Sequence, residues 1–313
     1  CFTCFTNYDF LLRKEVIEGK TMMKLKLTAL ALFTLFPCIS YGDQTVDLDS
    51  PEGWAMAFMT ASAQNLGQSP PHSVNLRDIS ISAELSSIPR LTKEQQRIGF
   101  GGFKDEDLNK SPVFGRLRAN IGLPWNLDAE ISWTPPLQIN DSKPDHLWGA
   151  ALSKPLMNNE KISIGVRLFL LRGGVTASVT CSADTIKFAP YTLQNTAGCV
   201  GLSGDKLQMD HEGVEVFVSF NNSSAILPWI SLASSNIDNS VKIDAPLEVG
   251  RERATIYSSG SIQTFSFGFN YDISENWRFN ASSSYTPLDV QRPNDNSDND
   301  NFWNVRVGIT TRF

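Results

Sequence analysis

The chain has 313 residues, 41% of them hydrophobic, and a formal net charge of −6. So acidic a composition makes nucleic acid a poor partner. Past residue 42 no stretch approaches the roughly twenty consecutive apolar residues of a membrane helix, so a membrane is open to the mature chain only as a closed barrel, which leaves no strand edge unpaired in lipid.

Residues 1–21 precede Met22. Glu18-Gly19 requires purine-rich codons just upstream of that methionine, where a bacterial ribosome-binding sequence lies, so 1–21 reads as untranslated sequence. Residues 22–26 form a short basic start, 27–36 an apolar run, and 40–42 offer small residues for cleavage before Asp43. Residues 22–42 therefore read as a secretory signal peptide. A lipoprotein signal at Cys38 is the alternative, and Phe36-Pro37 fits it badly. Removing 1–42 takes away five basic and three acidic residues, together with Cys1, Cys4 and Cys38. Cys181 and Cys199 remain, and an oxidising compartment predicts a disulfide between them.

Residues 43–75 read as an N-terminal periplasmic segment. Ser50 is placed to cap a helix, Pro51 suits its first position and Glu52 its positive end. Trp54, Ala57, Phe58 and Ala61 recur at helical spacing, which predicts an amphipathic helix over 51–64 at the periplasmic mouth, in a lumen or on the inner leaflet. Reading 53–63 as a strand is the alternative.

From residue 76 onward the period is two. Ile79, Ile81, Ala83 and Leu85 alternate with Ser80, Ser82, Glu84 and Ser86. Further segments follow at 116–121, 127–134, 147–152, 162–170, 214–220, 229–234, 265–271, 277–285 and 303–313. The count is ten strands, or eleven or twelve if the helix is a strand. Connections alternate between short turns and longer stretches at 88–112, 135–145, 172–210, 235–260 and 286–301. Outer-membrane barrels have short periplasmic turns and long external loops.

The last strand sharpens this. Trp303, Val305, Val307, Ile309, Thr311 and Phe313 share one face, and Asn304, Arg306, Gly308, Thr310 and Arg312 the other. An apolar face ending on a terminal Phe resembles the final strand of bacterial outer-membrane β-barrel proteins. The resemblance implies an all-β, transmembrane, antiparallel up-and-down barrel over 76–313, located in the bacterial outer membrane. It also implies lipid and lipopolysaccharide as surroundings, and the barrel-assembly machinery as a partner of the C-terminal strand. Trp133, Trp148, Trp229, Trp277, Trp303, Tyr271 and Tyr285 are expected at headgroup level.

Alternation then assigns the interior. Glu84, Arg116, Arg118, Asp128, Glu130, Arg167, Glu215, Arg278 and Arg306 fall on the inward face, with Phe114, Phe169 and Phe217. Charges on adjacent strands predict a cross-strand ionic cluster. It either packs a narrow barrel shut or lines a constriction that selects solutes. Asp145-His146 and Asp210-His211 stand at external strand ends. A carboxylate-held His there resembles the rim chemistry of ten-stranded omptin proteases, with no further omptin motif beside it. Asp295, Asp298 and Asp300 form an acidic external stretch able to attract a divalent cation. No cofactor motif is present. The function expected is passive passage or binding of a small solute, with a rim hydrolase and a closed anchor presenting its loops to a partner as the alternatives.

Overall fold

The structure, a computed structural model, describes residues 40–72, 75–220, 225–293 and 298–313. The upstream extension and nearly all of the expected signal peptide lie outside the described residues. Strand β1 (Ser40–Thr45) leads to helix α1 (Pro51–Ala63). Ten barrel strands follow, besides two two-residue ladders in the loops: β2 (Ile79–Ser87), β3 (Val113–Leu123), β4 (Leu127–Trp133), β5 (Lys143–Asn158), β6 (Ile162–Ala177), β7 (Asp205–Phe220), β8 (Ile226–Leu247), β9 (Gly250–Asp272), β10 (Trp277–Thr286) and β11 (Phe302–Arg312). Each pairs antiparallel with its neighbour in sequence, and β11 pairs with β2. That last pairing shuts the cylinder, so the ten barrel strands have no free edge across the membrane.

The outer face is apolar all round. Leu85, Leu117, Ile131, Leu168, Val216, Ile230, Phe267 and Val307 are exposed there, while the residues between them face inward. Trp133, Trp148, Trp277, Trp303 and Tyr271 also point outward. Trp229 does not. It is buried inside, its ring 5.5 Å from that of Phe217, because Ile230 and Leu232 take the lipid side of β8 and leave it the other.

The wall is uneven in height. A strand needs about ten residues to cross a bilayer. β2 has 9 and β4 has 7, whereas β8 and β9 have 22 and 23. The expected loop 235–260 is therefore continuous ladder, closed by a two-residue turn before Gly250, whose φ of 136° suits glycine. The segment 172–210 likewise loses both ends to β6 and β7. Above the lipid a strand's outer face can be polar too, so the alternation that marks a strand disappears from 235–240 although the backbone still pairs. β10 begins pairing with β9 only at Phe265. β1 lies parallel along Glu252–Tyr257 and covers part of the edge left above.

Helix α1 is not amphipathic, which corrects the expectation, and it ends at Ala63; of the three places open to it, it takes the lumen. Nearly every residue is buried, on all faces. Trp54, Phe58 and Ala61 pack with Ile237 of β8, Ile262 of β9, Phe302 of β11, and Leu91, Ile98 and Leu288 of the loops above. After Glu52 the helix carries no charge, so water has nothing to solvate and the barrel interior takes it whole. Ser50 caps it by accepting from the Gly53 N–H, and Pro51 occupies the first turn. The loops fold over it. Gly101 N–H donates to Glu52 Oε1 (2.6 Å), and Trp54 Nε1 donates to the Asp300 carbonyl (3.0 Å).

Candidate functional site

Below the helix, residues 64–72 run down the lumen, and the inward charges hold them. The helix has no basic residue in its last turn, and its final carbonyls lack partners along the chain. Arg116 supplies them from β3. Its Nη1 donates to Gln64 O (2.9 Å) and Asn65 Oδ1 (3.1 Å), and its Nη2 to Ala63 O. Arg118 Nη2 donates to Leu66 O at 2.9 Å, and Arg167 Nη1 to Asn65 O. Three guanidinium groups thus hold four successive carbonyls, that of the last helical residue, Ala63, and those of the three residues after it.

The carboxylates balance them. Arg118 pairs with Glu84 and Glu130, each at 2.8 Å, and Arg167 with Glu130 at 2.8 Å. Register makes this possible: Glu84 faces Arg116 across β2–β3, and Arg167 faces Glu215 across β6–β7. Glu215 accepts from Gly67 N–H (2.8 Å) and from Ser231 Oγ (2.8 Å). Gln68 Nε2 donates to Glu84 Oε2 at 3.1 Å. Arg306 is buried on β11, where the next inward position, Gly308, lies opposite Glu84. A Cβ at Gly308 would meet Gln68 and Asn280, and one at Gly67 would meet the Phe217 ring. The segment 64–72 therefore lies in close contact with the inner wall at Phe217 and Gly308. Asp128 accepts from Asn120 (2.8 Å), and Arg278 forks onto Asp272 (2.6 and 3.0 Å). Phe114 and Phe169 lie beneath Arg116 and Arg167 at 5.0 and 5.6 Å.

Above the plug lies a cavity that is part of a larger cleft, about 1190 Å³ in all, whose lining also takes in the outward-facing Leu85, Leu117, Val307 and Ile309. The tall inner wall lines it with Val175, Leu207, Met209, Val241 and Ile243, the helix with Met56 and Met59, and the loops with Ile88 and Leu108. A few polar groups join them, notably Lys104 and Glu106. Lys104 Nζ donates to Glu106 Oε1 (2.8 Å) and to the Thr180 carbonyl (2.9 Å). Burial pushes the Glu106 carboxyl up to about 8, with Asp205 and Glu252 pushing the same way and Lys104 opposing them. The disulfide Cys181–Cys199 is formed, with Ala245 of the tall wall in its buried cluster.

The histidines are not brought together as a hydrolytic pair. His146 reaches Asp145 at 2.5 Å, but its side chain is 93% exposed, and Lys206 takes the same carboxylate at 2.5 Å. His211 points inward, fully buried against Phe169, with neither ring nitrogen partnered, while Asp210 pairs with Arg172. Alternation alone separates Asp210 from His211, since adjacent residues of a strand face opposite ways. Asp295 and the side chain of Asp298 lie outside what is described. Asp300 is engaged by Arg292 (2.6 Å) and Gln95 (3.2 Å). Sequence reasoning missed Asn65, Gly67 and Gln68, whose one signal is the abrupt end of helical spacing before Ser69-Pro70-Pro71. It also missed Lys104 and Glu106, which have none.

A closed ten-strand antiparallel barrel with an apolar outer skin and a charged bore defines a bacterial outer-membrane β-barrel protein. No protein-family model matches the chain, and no curated protein does. Solved structures with a similar fold are outer-membrane barrels. The outer membrane protease OmpT of Escherichia coli is 11% identical, covering 76% of this chain and 94% of its own, at a TM-score of 0.38. The translocator domain of the autotransporter NalP of Neisseria meningitidis is 8% identical, covering 85% and 99%, at 0.36. The Pseudomonas putida toluene transporter TodX is 8% identical, covering 78% and 70%, at 0.32. Such distant likenesses assign no function.

Proposed function

We propose that the barrel binds a small apolar solute in the external cavity, above a lumen that its own N-terminal segment keeps shut. Of the readings the sequence allows, this is the narrow ligand-binding barrel rather than the open porin. The cavity carries it: an apolar space between α1, the tall wall and the loops, with few polar groups in its lining, on the side where solute would arrive. Passage inward then requires residues 64–72 to move, because Arg116, Arg118, Arg167 and Glu215 hold them across the bore.

The test uses the full chain in lipid nanodiscs and a hydrophobic fluorescent dye. Saturable, stoichiometric binding that Val241→Trp abolishes supports the reading. Binding no greater than that of empty nanodiscs removes it and leaves the closed anchor. Planar-bilayer recordings accompany it. The intact chain is expected to be silent, and replacing 64–72 with a Gly/Ser linker of equal length is expected to give steady conductance. An open intact chain restores the porin.

A further inference from the structure

The wall beside the cavity has a notch. β4 stops at Trp133, which lies opposite Leu117 of β3 and Trp148 of β5. Above that level β3 continues up to Val113 and β5 up to Lys143. Residues 113–116 pair with β2 and, among the described residues, with no strand on their other side. β3 and β5 stand two strand spacings apart there, about 10 Å. Trp133 and Trp148 point outward, as aromatics do at headgroup level, so the sill of the notch lies at the membrane surface.

The notch is apolar on both flanks. Val113 and Leu117 are exposed on one and Leu137 on the other, and all three line the same cleft as Ile88 and Met59 inside. Gly115 leaves a shallow groove between Val113 and Leu117 on the outer face. A Cβ there would make only ordinary contacts, with Leu85 Cδ2 at 3.5 Å and Glu84 O at 3.8 Å. From above, by contrast, the cavity is roofed. Lys104 Nζ ties the loop over 88–112 to the Thr180 carbonyl (2.9 Å), and Gly101 N–H ties it to Glu52 of α1 (2.6 Å).

We infer that the cavity exchanges its solute with the outer leaflet of the membrane through the notch above Trp133, and that this solute is a hydrocarbon chain dissolved in the bilayer. The inference rests on the cavity reading above and names the class of solute and its source. The lipid-facing wall is covered by acyl chains, so a cleft that begins on that wall is entered by what is dissolved among them. A chain sliding over the sill stays against Leu117, Val113 and Leu137 and exposes no apolar surface to water. Entry from above would have to part the roof.

The experiment adds hexadecanol bearing a chain-terminal diazirine to the full chain in nanodiscs. Flash illumination at successive times, with cross-links mapped by mass spectrometry, gives the rate at which each residue is labelled. The inward Met59 and Ile88 are expected to be labelled after the outward Leu85. Gly115→Trp fills the groove from the lipid side, and Leu137→Lys sets a charge on the opposite flank. Each is expected to slow inward labelling about tenfold relative to outward Phe267, which lies on another part of the wall. Heat-modifiable gel mobility shows that each variant is folded. Inward labelling as fast in both variants as in the wild type overturns the inference and leaves the cavity reading standing. Labelling confined to outward residues, in a protein that binds the dye, does the same. Loss of inward labelling and of dye binding together overturns the cavity reading as well.

Discussion

Arg116, on a barrel strand, caps the carbonyl of Gln64, on the segment that follows the lumen helix, at 2.9 Å. The helix is thereby finished by a residue from the wall around it. Arg116→Met leaves two acceptors without a donor, the carbonyls of Ala63 and Gln64, while Asn65 Oδ1 keeps Arg118 and Ser132. Hydrogen bonds to a charged group are worth about 1.5–3 kcal/mol each, so plug docking is expected to weaken by about 3 kcal/mol. Hydrogen exchange of the 64–72 amides measures this, with faster exchange expected there and little change in the β3 ladder. Arg116→Lys recovers only part, since one ammonium lacks the fork that spans several carbonyls.

Arg118 is shared by Glu84 and Glu130, and all three side chains are buried. Removing the cation leaves Glu84 without its ion pair in a medium that penalises charge, while Glu130 keeps Arg167. Arg118→Met is expected to cost about 3–5 kcal/mol. Adding Glu84→Gln is expected to return most of it, because the uncompensated charge goes with the cation, whereas adding Glu130→Gln instead is expected to cost more by taking a partner of Arg167. The temperature at which gel mobility converts from folded to unfolded reports the difference.

Glu106 makes the external loop sensitive to pH. Its carboxyl titrates near 8 when buried and near 4.3 when the loop opens. Between those values the closed state holds a proton that the open state releases. Closure therefore weakens as pH rises from about 4.5 to about 8, and is level below and above that window. Exchange of the Glu106 amide, which donates to Gln96 O at 2.8 Å, is expected to accelerate across the window relative to Glu106→Gln at each pH. Parallel curves for the two proteins would contradict it.

Cys181 and Cys199 close a loop with a sequence separation of 18, which corresponds to about 3 kcal/mol of unfolded-chain restriction. Replacing both with Ser is expected to leave the barrel folded and to expose 178–204 to protease. The effect is local because the bridge joins two points of one external loop. Loss of heat-modifiable mobility in the double variant would show that the barrel itself depends on it.

Residue alternation was enough to foretell the cylinder. Lipid demands an apolar outward residue at every second position, so Leu85, Leu117, Val216 and Val307 announce their strands. The same alternation sorts Arg116, Arg118 and Glu215 to the other side of the wall. It did not reach above the membrane, where 235–260 keeps its ladder without an oily face and so reads as loop. Nor did it say where α1 goes, because an apolar helix records only that it avoids water. The partners of the inward charges belong to the tertiary structure alone. Gln64, Asn65, Leu66 and Gly67 meet the arginines and Glu215 chiefly through backbone groups, which every residue carries and which therefore leave no mark in composition or spacing. Glu106 became a buried carboxyl only when the loop over 88–112 folded onto the tall wall, since exposure is a property of the surroundings rather than of the residue.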